Sequence, residues 1–383
     1  MKNVLLNIET TNHFGRDIIQ GVVAYAFQHR WNLIFEHYSL LDGSQLRLAN
    51  WKGDGIISRS GSIALAHQVA KTGLPFVELV GQSEEAMADV HVDEATQAEM
   101  VFDHFYGKGY RRFACFSYSD TWWTIYRKKR FAAYLASRGF PCEALAVRRQ
   151  RNSIMPTWVE SDRMQIADWL KNLPKPIALF AVTDSHAMPI LNICRAEGIA
   201  VPEDIAVVGA ENDEWFCRLC QPPLSSVDEN GQRVGYIAAQ LLAERMDYPQ
   251  RRRRLKTIYV PPQFIAERQS TEGTAIEDKD AAEVIRFIRE RACDGIAVRD
   301  VVEFSNLSHR TLARLIYKWT GRTIEQEIKR VRIETAKRLL KETSVSVTII
   351  GARVGFKKPE YFCNIFRRVT GMTPKEFRQE PGG

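Results

Sequence analysis

The sequence lacks the long apolar run that a membrane-spanning helix requires. Such a helix needs about 18 or more consecutive apolar residues, and no segment of the 383 residues provides them. The apolar run at Val4–Ile8 is also too short for the hydrophobic region of a secretory signal peptide. We therefore expect a cytoplasmic protein that has no membrane partner.

The motifs that most directly indicate an enzyme are missing as well. The chain contains no Gly-x-Ser-x-Gly, no Walker loop and no glycine fingerprint after the first predicted strand. Its eight histidines are dispersed, without the spacing of metal ligands. We therefore expect no catalytic activity and no cofactor.

Cysteine is scarce, and its seven residues are scattered. Cys217 and Cys220 have the spacing of a metal or redox pair, but no second pair or histidine cluster accompanies them. Small thiols buried in apolar surroundings explain the pattern better than a metal site does.

Basic residues are concentrated at one end of the chain. Residues 279–383 contain 22 Lys and Arg against 13 Asp and Glu, whereas the remainder contains 31 against 33. A basic segment attached to a near-neutral one indicates a polyanionic partner for the basic segment.

Residues 1 to about 270 read as strands alternating with helices. Because most of the strands are continuous apolar runs, we expect a parallel sheet covered by helices on both faces. The predicted strands are Val4–Ile8, Leu33–His37, Gly55–Ser58, Phe76–Val80, Phe113–Ser117, Ala178–Val182 and Ile205–Gly209. Ligands of such sheets bind beyond the carboxyl ends of the strands.

The pattern changes near residues 270–280, where it becomes wholly helical. We therefore predict a ligand-binding and dimerisation domain at 1–270, a linker at 271–280 and an all-α domain at 281–383. The last domain has short predicted helices at Val298–Phe304 and Arg310–Trp319, a long one at Ile324–Leu340, and a second short pair at Val347–Val354 and Pro359–Val369. Two helix-turn-helix units joined by a rigid helix can enter successive major grooves of double-stranded DNA.

The helical part resembles the arabinose-operon-regulator class of DNA-binding domains. The resemblance rests on Ser308–Leu315, on Gly321, on Gly355–Phe362 and on Phe366–Arg378. A generic helical bundle would give the same apolar stripes but not these turns at matching positions. The resemblance implies DNA-binding positions at Ser308, His309, Arg310, Ala313, Arg314, Lys357, Lys358, Pro359, Glu360 and Asn364.

The chemistry of these positions differs between the two units. Arginine suits guanine, asparagine suits adenine, and glutamate can accept from cytosine. Ala313 and Pro359 depart from the polar residues common in the class, so they offer apolar contact or none. Lys357 and Lys358 are better suited to phosphate than to bases.

The first 270 residues resemble the two-lobed core of periplasmic binding proteins and lactose-repressor-type regulators. The matching segments are Val182–Ala187, Gly209–Asp213 and Pro222–Val227. Lactose-repressor-type chains carry their DNA reader before the first strand, whereas here it follows the core. This order, and the junction Val260–Thr271, resemble those of xylose operon regulators over the whole chain.

The resemblance implies a sugar site between the lobes. Its residues would be Asn12, Phe14, Arg16, Trp123, Arg127, Asp184, Glu211 and Glu229. Carboxylates and guanidinium groups suit sugar hydroxyls, and aromatic faces suit C–H surface. Alternatively, Asp184 caps a helix and Arg127 pairs with a structural carboxylate. The run Arg251–Arg254 is most simply a solvated loop, with DNA contact as the other interpretation.

Together these patterns predict a dimeric, sugar-controlled activator of a catabolic operon, responding to D-xylose or a related sugar. Contact with RNA polymerase is a further expectation. A different small-molecule effector, or an α/β scaffold for protein contacts with a DNA-binding tail, are the alternatives.

Replacing Arg314 with Ala should weaken specific promoter binding by about 1–3 kcal/mol if Arg314 reads a base. Titrating promoter and random-sequence DNA in parallel would check this. An equal loss on both would mark a phosphate contact instead, and unchanged affinity on both would remove Arg314 from the interface.

Overall fold

The computed structural model describes residues 1–35, 51–59, 63–79, 88–118, 122–148, 160–247, 257–276 and 278–379. His37 and Val80, at the ends of two predicted strands, and the arginine run 251–254 lie outside these residues.

The described strands are β1 (Asn3–Asn7), β2 (Asn32–Phe35), β3 (Gly55–Ser58), β4 (Phe76–Glu78), β5 (Ala88–Val92), β6 (Phe113–Tyr118), β7 (Cys142–Val147), β8 (Ile177–Ala181), β9 (Ile205–Ala210), β10 (Ser225–Val227), β11 (Ile258–Val260) and β12 (Ile265–Ala266). The described α-helices are α1 (His13–His29), α2 (Ile63–Ala70), α3 (Glu94–Gly107), α4 (Trp122–Ser137), α5 (Glu160–Asn172), α6 (Asp184–Ala196), α7 (Glu214–Leu219), α8 (Gly231–Asp247), α9 (Lys279–Arg291), α10 (Val298–Ser305), α11 (His309–Thr320), α12 (Ile324–Glu342), α13 (Val347–Arg353), α14 (Pro359–Thr370) and α15 (Pro374–Gln379).

The strands form two six-stranded sheets, one in each lobe of an α/β core. The first sheet has the order β2-β1-β3-β4-β5-β11, and the second has the order β7-β6-β8-β9-β10-β12. Neighbouring strands run parallel except for the short antiparallel pair of β10 and β12. The predicted two-lobed parallel architecture is confirmed.

Both faces of the second sheet are covered, which explains why its central strands are apolar at every position. Successive side chains of a strand point to opposite faces. Leu179 accordingly packs with α5 and α6 on one face, and Phe180 packs with α3 and α4 on the other. All five residues of β8 are buried.

The chain passes between the lobes three times, and the three crossings bond to one another. The first leads from β5 into α3, the second from β10 into α8, and the third from β11 to β12. The backbone N–H of Asp93 donates to Val260 at 2.7 Å, and that of Asp228 donates to Phe264 at 2.9 Å. These bonds hold the crossings together as one hinge.

Four strands were absent from the sequence prediction: β5, β7, β11 and β12. β10 lies within Pro222–Val227, the segment that the family resemblance implies to be a strand. The predicted strands are present with small changes in their ends; β1, for example, ends at Asn7 rather than Ile8. The predicted linker at 271–280 stays a prediction. Ser270 and Thr271, at its start, are fully buried against the second lobe, where the Ser270 hydroxyl donates to Val207 at 2.6 Å.

The helical part contains two similar units, separated by fifty positions in the numbering. The first unit is α10 with α11, and the second is α13 with α14. The Thr320 hydroxyl donates to Ile316 at 2.9 Å, and the Thr370 hydroxyl repeats the bond to Phe366 at 2.8 Å. Gly321 and Gly371, the next residues, end α11 and α14 in the left-handed conformation. The predicted duplication is thereby confirmed.

Ser308 caps α11, the longer helix of the first unit. Its hydroxyl accepts from the backbone N–H of Thr311 at 3.2 Å, which satisfies one of the free N–H groups of the first turn.

Among the described residues, every helix is too short or too polar to cross a lipid bilayer.

Replacing Gly355 with Ala should destabilise the helical domain more than replacing Gly371 with Ala. Both residues have a positive φ, of 83° and 80°, which costs an L-residue about 1–2 kcal/mol. A Cβ at Gly355 would also lie 2.9 Å from the carbonyl oxygens of Ala292 and Cys293, whereas one at Gly371 would meet open space. Urea unfolding of both variants, followed by circular dichroism, would measure the difference. Equal destabilisation would contradict the close approach at Gly355.

Candidate functional site

The two lobes touch directly at the carboxyl edge of their sheets. Asn12 caps α1 by accepting from the N–H of Gly15 at 2.9 Å, and its amide donates to Glu211 at 3.3 Å. Beside it, Arg16 pairs with Asp213 at 2.9 Å. The start of α1 in the first lobe therefore contacts the loop that follows β9 in the second.

Glu211 is held in a strained and buried position in that loop. Its φ is 98°, and only 8% of its surface is exposed. Burial, and then repulsion from Glu229, raise the pKa of its carboxyl well above the ordinary value.

Arg127 lies at the centre of a buried charge cluster beside this contact. Its guanidinium donates to both carboxylate oxygens of Glu94, at 2.9 and 3.0 Å, and to the carbonyl of Val182 at 2.7 Å. It also pairs with Glu229 at 2.6 Å. Burial opposes the charged form of Arg127, but the two carboxylates outweigh it and raise its pKa. The structure thus contains the carboxylate pairing that the sequence left as an alternative.

A cavity of about 340 Å³ adjoins the cluster. Its walls combine aromatic rings, guanidinium groups and carboxylates, including Phe14, Trp123 and Tyr126, then Arg59, Arg127 and Arg130, then Asp89, Asp93 and Glu94. The guanidinium of Arg59 lies 5.2 Å from the ring centre of Phe14 and 5.5 Å from that of Trp123. Such a lining can contact apolar surface and hydroxyl groups of one small molecule at once.

Three of the eight predicted ligand residues line this cavity: Phe14, Trp123 and Arg127. Glu229 binds Arg127 behind the wall, and Asn12, Arg16 and Glu211 form the contact between the lobes. The structure brings these seven residues to one region, while their role in ligand binding stays a prediction.

Asp184 occupies a different place from the other predicted residues. It is 1% exposed, and it accepts hydrogen bonds from the N–H of Asp213 at 2.9 Å and from the Ser226 hydroxyl at 2.5 Å. Thr183, not Asp184, caps α6, so the capping alternative is wrong. Asp184 supports the loop that carries Glu211, and burial raises its pKa to about 7.

Sequence reasoning missed Arg59, Asp89 and Glu94. Arg59 follows β3 directly, and the loop after Ser58 was recognised as a place for ligand contacts without a residue being chosen. Asp89 lies within β5, a strand absent from the sequence prediction, and Glu94 follows that strand by two positions. The acidic pair Asp93 and Glu94 after the strand was the available signal for Glu94.

The predicted DNA-binding residues lie mainly on two exposed helix surfaces. On the first unit, Ser308, His309, Arg310 and Arg314 are exposed, and Ala313 is half-buried against the core. On the second unit, the exposed residues are Lys357, Lys358, Pro359, Glu360 and Asn364. Exposed Tyr317 and Lys318 on α11, and Arg367 and Arg368 on α14, extend the two surfaces beyond the prediction.

Two family models match the chain. A periplasmic binding protein-like domain covers residues 102–271, and a helix-turn-helix domain covers residues 302–380. The first overlaps the second lobe, and the second contains both helix-turn-helix units.

Two relatives match this chain over nearly its full length. The chain is 29% identical to the Xylose operon regulatory protein of Escherichia coli strain K12, with 98% of this chain and 96% of that protein covered. It is also 29% identical to the protein of that name from Haemophilus influenzae, with 95% of each covered.

Solved structures agree with this similarity. The structure of the xylose-binding transcription activator xylR matches with a TM-score of 0.62 at 27% identity, over 100% of this chain and 99% of that one. A LacI family regulator from Enterococcus faecium with bound ribose has a TM-score of 0.57 at 18% identity, over 72% of this chain and 100% of its own. This second likeness shows the fold of the α/β core.

The Asp184→Asn variant should change how stability depends on pH. A folded-state pKa of about 7, above the ordinary 3.8, means that the folded protein favours the protonated carboxyl. The protonated carboxyl therefore contributes fully to the free energy of unfolding below about pH 4, and this contribution is lost as the pH rises to about 7. The free energy of unfolding of the wild type falls by up to about 1.4 kcal/mol per pH unit in this range. The free energy of unfolding of the variant, relative to the wild type, should therefore increase across this range.

Urea unfolding at several pH values between 4 and 8 would measure this difference. Asp168→Asn makes the same substitution at an exposed position on α5 and controls for the loss of one negative charge. A relative stability of Asp184→Asn that does not change with pH would contradict the prediction.

Proposed function

We propose that this chain, which belongs to the xylose operon regulator family, is a sugar-responsive transcription activator that takes D-xylose or a closely related sugar as its effector. The observation that carries the proposal is the cavity beside Arg127, which is lined by aromatic rings and charged groups. The same chain presents the exposed surfaces of α11 and α14, which we call the two reading helices. The names of the full-length relatives support xylose as the first sugar to test.

The cavity suits a small polyhydroxylated ligand. The rings of Phe14 and Trp123 offer apolar faces to sugar C–H groups, while Arg59, Asp89 and Glu94 offer hydrogen-bond partners to hydroxyl groups. Arg127 is already bound to two carboxylates, so in this proposal it orients Glu94 and contacts the ligand with whatever donor capacity remains.

Ligand binding would stabilise the arrangement in which the lobes are closed. Asn12 with Glu211, and Arg16 with Asp213, already bridge the lobes at the edge of the cleft. A sugar can shift the balance of open and closed forms only through a higher affinity for one of them. A ligand that contacts Phe14 in the first lobe and Trp123 in the second provides such a difference.

The two reading helices would bind promoter DNA with different chemistry. In the first, Arg310 and Arg314 suit guanine, and Ser308 and His309 lie at the start of the helix toward the backbone. In the second, Glu360 and Asn364 suit cytosine and adenine, and Lys357 and Lys358 suit phosphates. Ala313 and Pro359 would give apolar contact or none.

Several further features belong to the proposal. A homodimer, a contact with RNA polymerase and a cytoplasmic location fit an activator that works on promoter DNA, and no catalytic step is required of the chain. In one alternative, a different small molecule binds in the cavity and controls the same DNA-binding domain. In the other, the α/β part is a scaffold for protein contacts, and the cavity binds no effector.

Isothermal titration calorimetry of the full chain with a panel of pentoses and hexoses should show binding by D-xylose or a near relative. Replacing Trp123 with Ala should weaken that binding roughly tenfold because an aromatic face of the cavity is lost. Trp31→Ala is the matched control, since Trp31 packs on Tyr25 at the amino end of β2, away from the cleft.

The panel separates the alternatives directly. Binding by none of the sugars would exclude a sugar effector and favour another ligand or the scaffold. An unchanged affinity in Trp123→Ala would place the sugar outside this cavity.

A further inference from the structure

Helix α3 connects the candidate sugar cavity with the helical domain. At its start, Asp93 caps the helix by accepting from the N–H groups of Ala95 and Thr96, and Glu94 binds Arg127 beside the cavity. Its 14 residues span about 20 Å. At its other end, Asp103 and Gly107 contact the helical domain.

Polar contacts to the helical domain cluster at that far end of α3. Arg322, which follows α11, pairs with Asp103 at 2.9 Å. Arg289 of α9 donates to the carbonyl of Gly107 at 2.9 Å. Arg111, four residues beyond the end of α3, donates to the carbonyl of Trp319 at 2.7 Å.

Arg111 makes the most direct contacts with α11, the first reading helix. Its guanidinium lies 3.7 Å from the ring centre of Tyr106 and 5.5 Å from that of Trp319. It donates to the carbonyls of Trp319 and Lys318, at 2.7 and 3.4 Å, in the last turn of α11. Carbonyls of a last turn lack partners within the helix and carry partial negative charge, so a cation there is favourable.

This attachment leaves the reading surface of α11 accessible. Arg111 contacts the carboxyl end of the helix, whereas Arg310 lies in its first turn and Arg314 near its middle, and both are exposed. The orientation of α11 is therefore fixed from the second lobe without covering its DNA-binding side chains.

The helix that carries this attachment is stiff. Ala98, Val101, Phe102 and Phe105 pack into the core of the second lobe along one face of α3. A closely packed helix moves as a unit because bending it would open cavities in the core. A displacement of Glu94 at the cavity would therefore move the other end of α3, where Tyr106 lies against Arg111.

We propose that Arg111 is a positioning residue that couples the sugar site to the first DNA-reading helix through α3. The inference rests on the proposed function, because it takes a sugar in the cavity as the signal and DNA affinity as the response. A closing of the lobes that shifts Glu94 moves α3, and Arg111 transfers the movement to α11.

The test compares full-length wild type with the Arg111→Ala variant. D-xylose affinity is measured by calorimetry, and DNA affinity is measured with and without D-xylose on a fragment that the wild-type chain selects from a random-sequence library. We expect the sugar to change the DNA affinity of the wild type at least fivefold, as is common for allosteric coupling. In Arg111→Ala the change should fall below twofold while D-xylose affinity stays within twofold of the wild type.

Arg112→Ala is the matched control. Arg112 is the next residue and is exposed, but its guanidinium donates to the backbone carbonyl of Lys175 at 2.6 Å within the α/β core. This variant should keep the response of the wild type. A full sugar response in Arg111→Ala, or an equal loss in both variants, would overturn the proposal.

Hydrogen–deuterium exchange of the protein without sugar gives a readout that does not depend on the effector. Amides in the last turn of α11 should exchange faster in Arg111→Ala than in Arg112→Ala, and equal exchange would overturn the proposed hold on α11. If the wild type fails to bind D-xylose, the effector assignment is wrong, whereas this comparison still decides whether Arg111 restrains α11.

Discussion

The buried charge of Arg127 is the constraint on which the arrangement of the lobes depends. Placing an ion in the interior costs several kcal/mol unless well-placed partners surround it. Its partners come from three separate segments: Glu94 at the start of α3, Val182 at the end of β8, and Glu229 just before α8. Only when all three are in place is the charge satisfied, so the cluster fixes where the crossings meet. It also forms one wall of the cavity, and the same contacts thus define the fold of the hinge and the shape of the site.

The two helix-turn-helix units share the same structural contacts but expose different side chains. Thr320 and Thr370 make equivalent bonds, and Gly321 and Gly371 end their helices in the same conformation. The exposed positions differ, since Arg314 in α11 corresponds to Asn364 in α14. The residues that shape the unit are therefore distinct from those that we propose to contact DNA. Attachment to the α/β core adds a second asymmetry, because the described contacts of the helical domain with α3 come from Arg289 of α9, from α11 and from Arg322, which follows α11.

The sequence allowed the architecture to be predicted because its strongest signals are local. Apolar runs such as those of β8 and β9 identify strands covered on both faces, and Ser308 with Gly321 marks the ends of α11. The missed strands lack this signal. In β5, Asp89 and His91 alternate with apolar residues, and β11 and β12 are only three and two residues long. Their pairing is decided by tertiary contacts that no local pattern contains.

The candidate site was less predictable, for a related reason. A carboxylate in a loop can face a ligand or support the loop, and residue type does not distinguish the two. Asp184 illustrates this, because its oxygens accept from Asp213 and Ser226 beneath the cleft. Arg59 shows the converse, since its place between Phe14 and Trp123 depends on both lobes. Resemblance to known families indicated the region, and packing determined which side chains reach the cavity.

The position of β12 as the last described strand of the core determines which lobe an attached domain follows. The chain leaves the core from the second lobe, so any domain appended there inherits the motion of that lobe. A domain placed ahead of β1 would instead move with the first lobe. The order of the two parts along the chain thus decides which lobe the attached domain moves with. When a sugar closes the lobes toward each other, domains attached to different lobes would move in opposite directions.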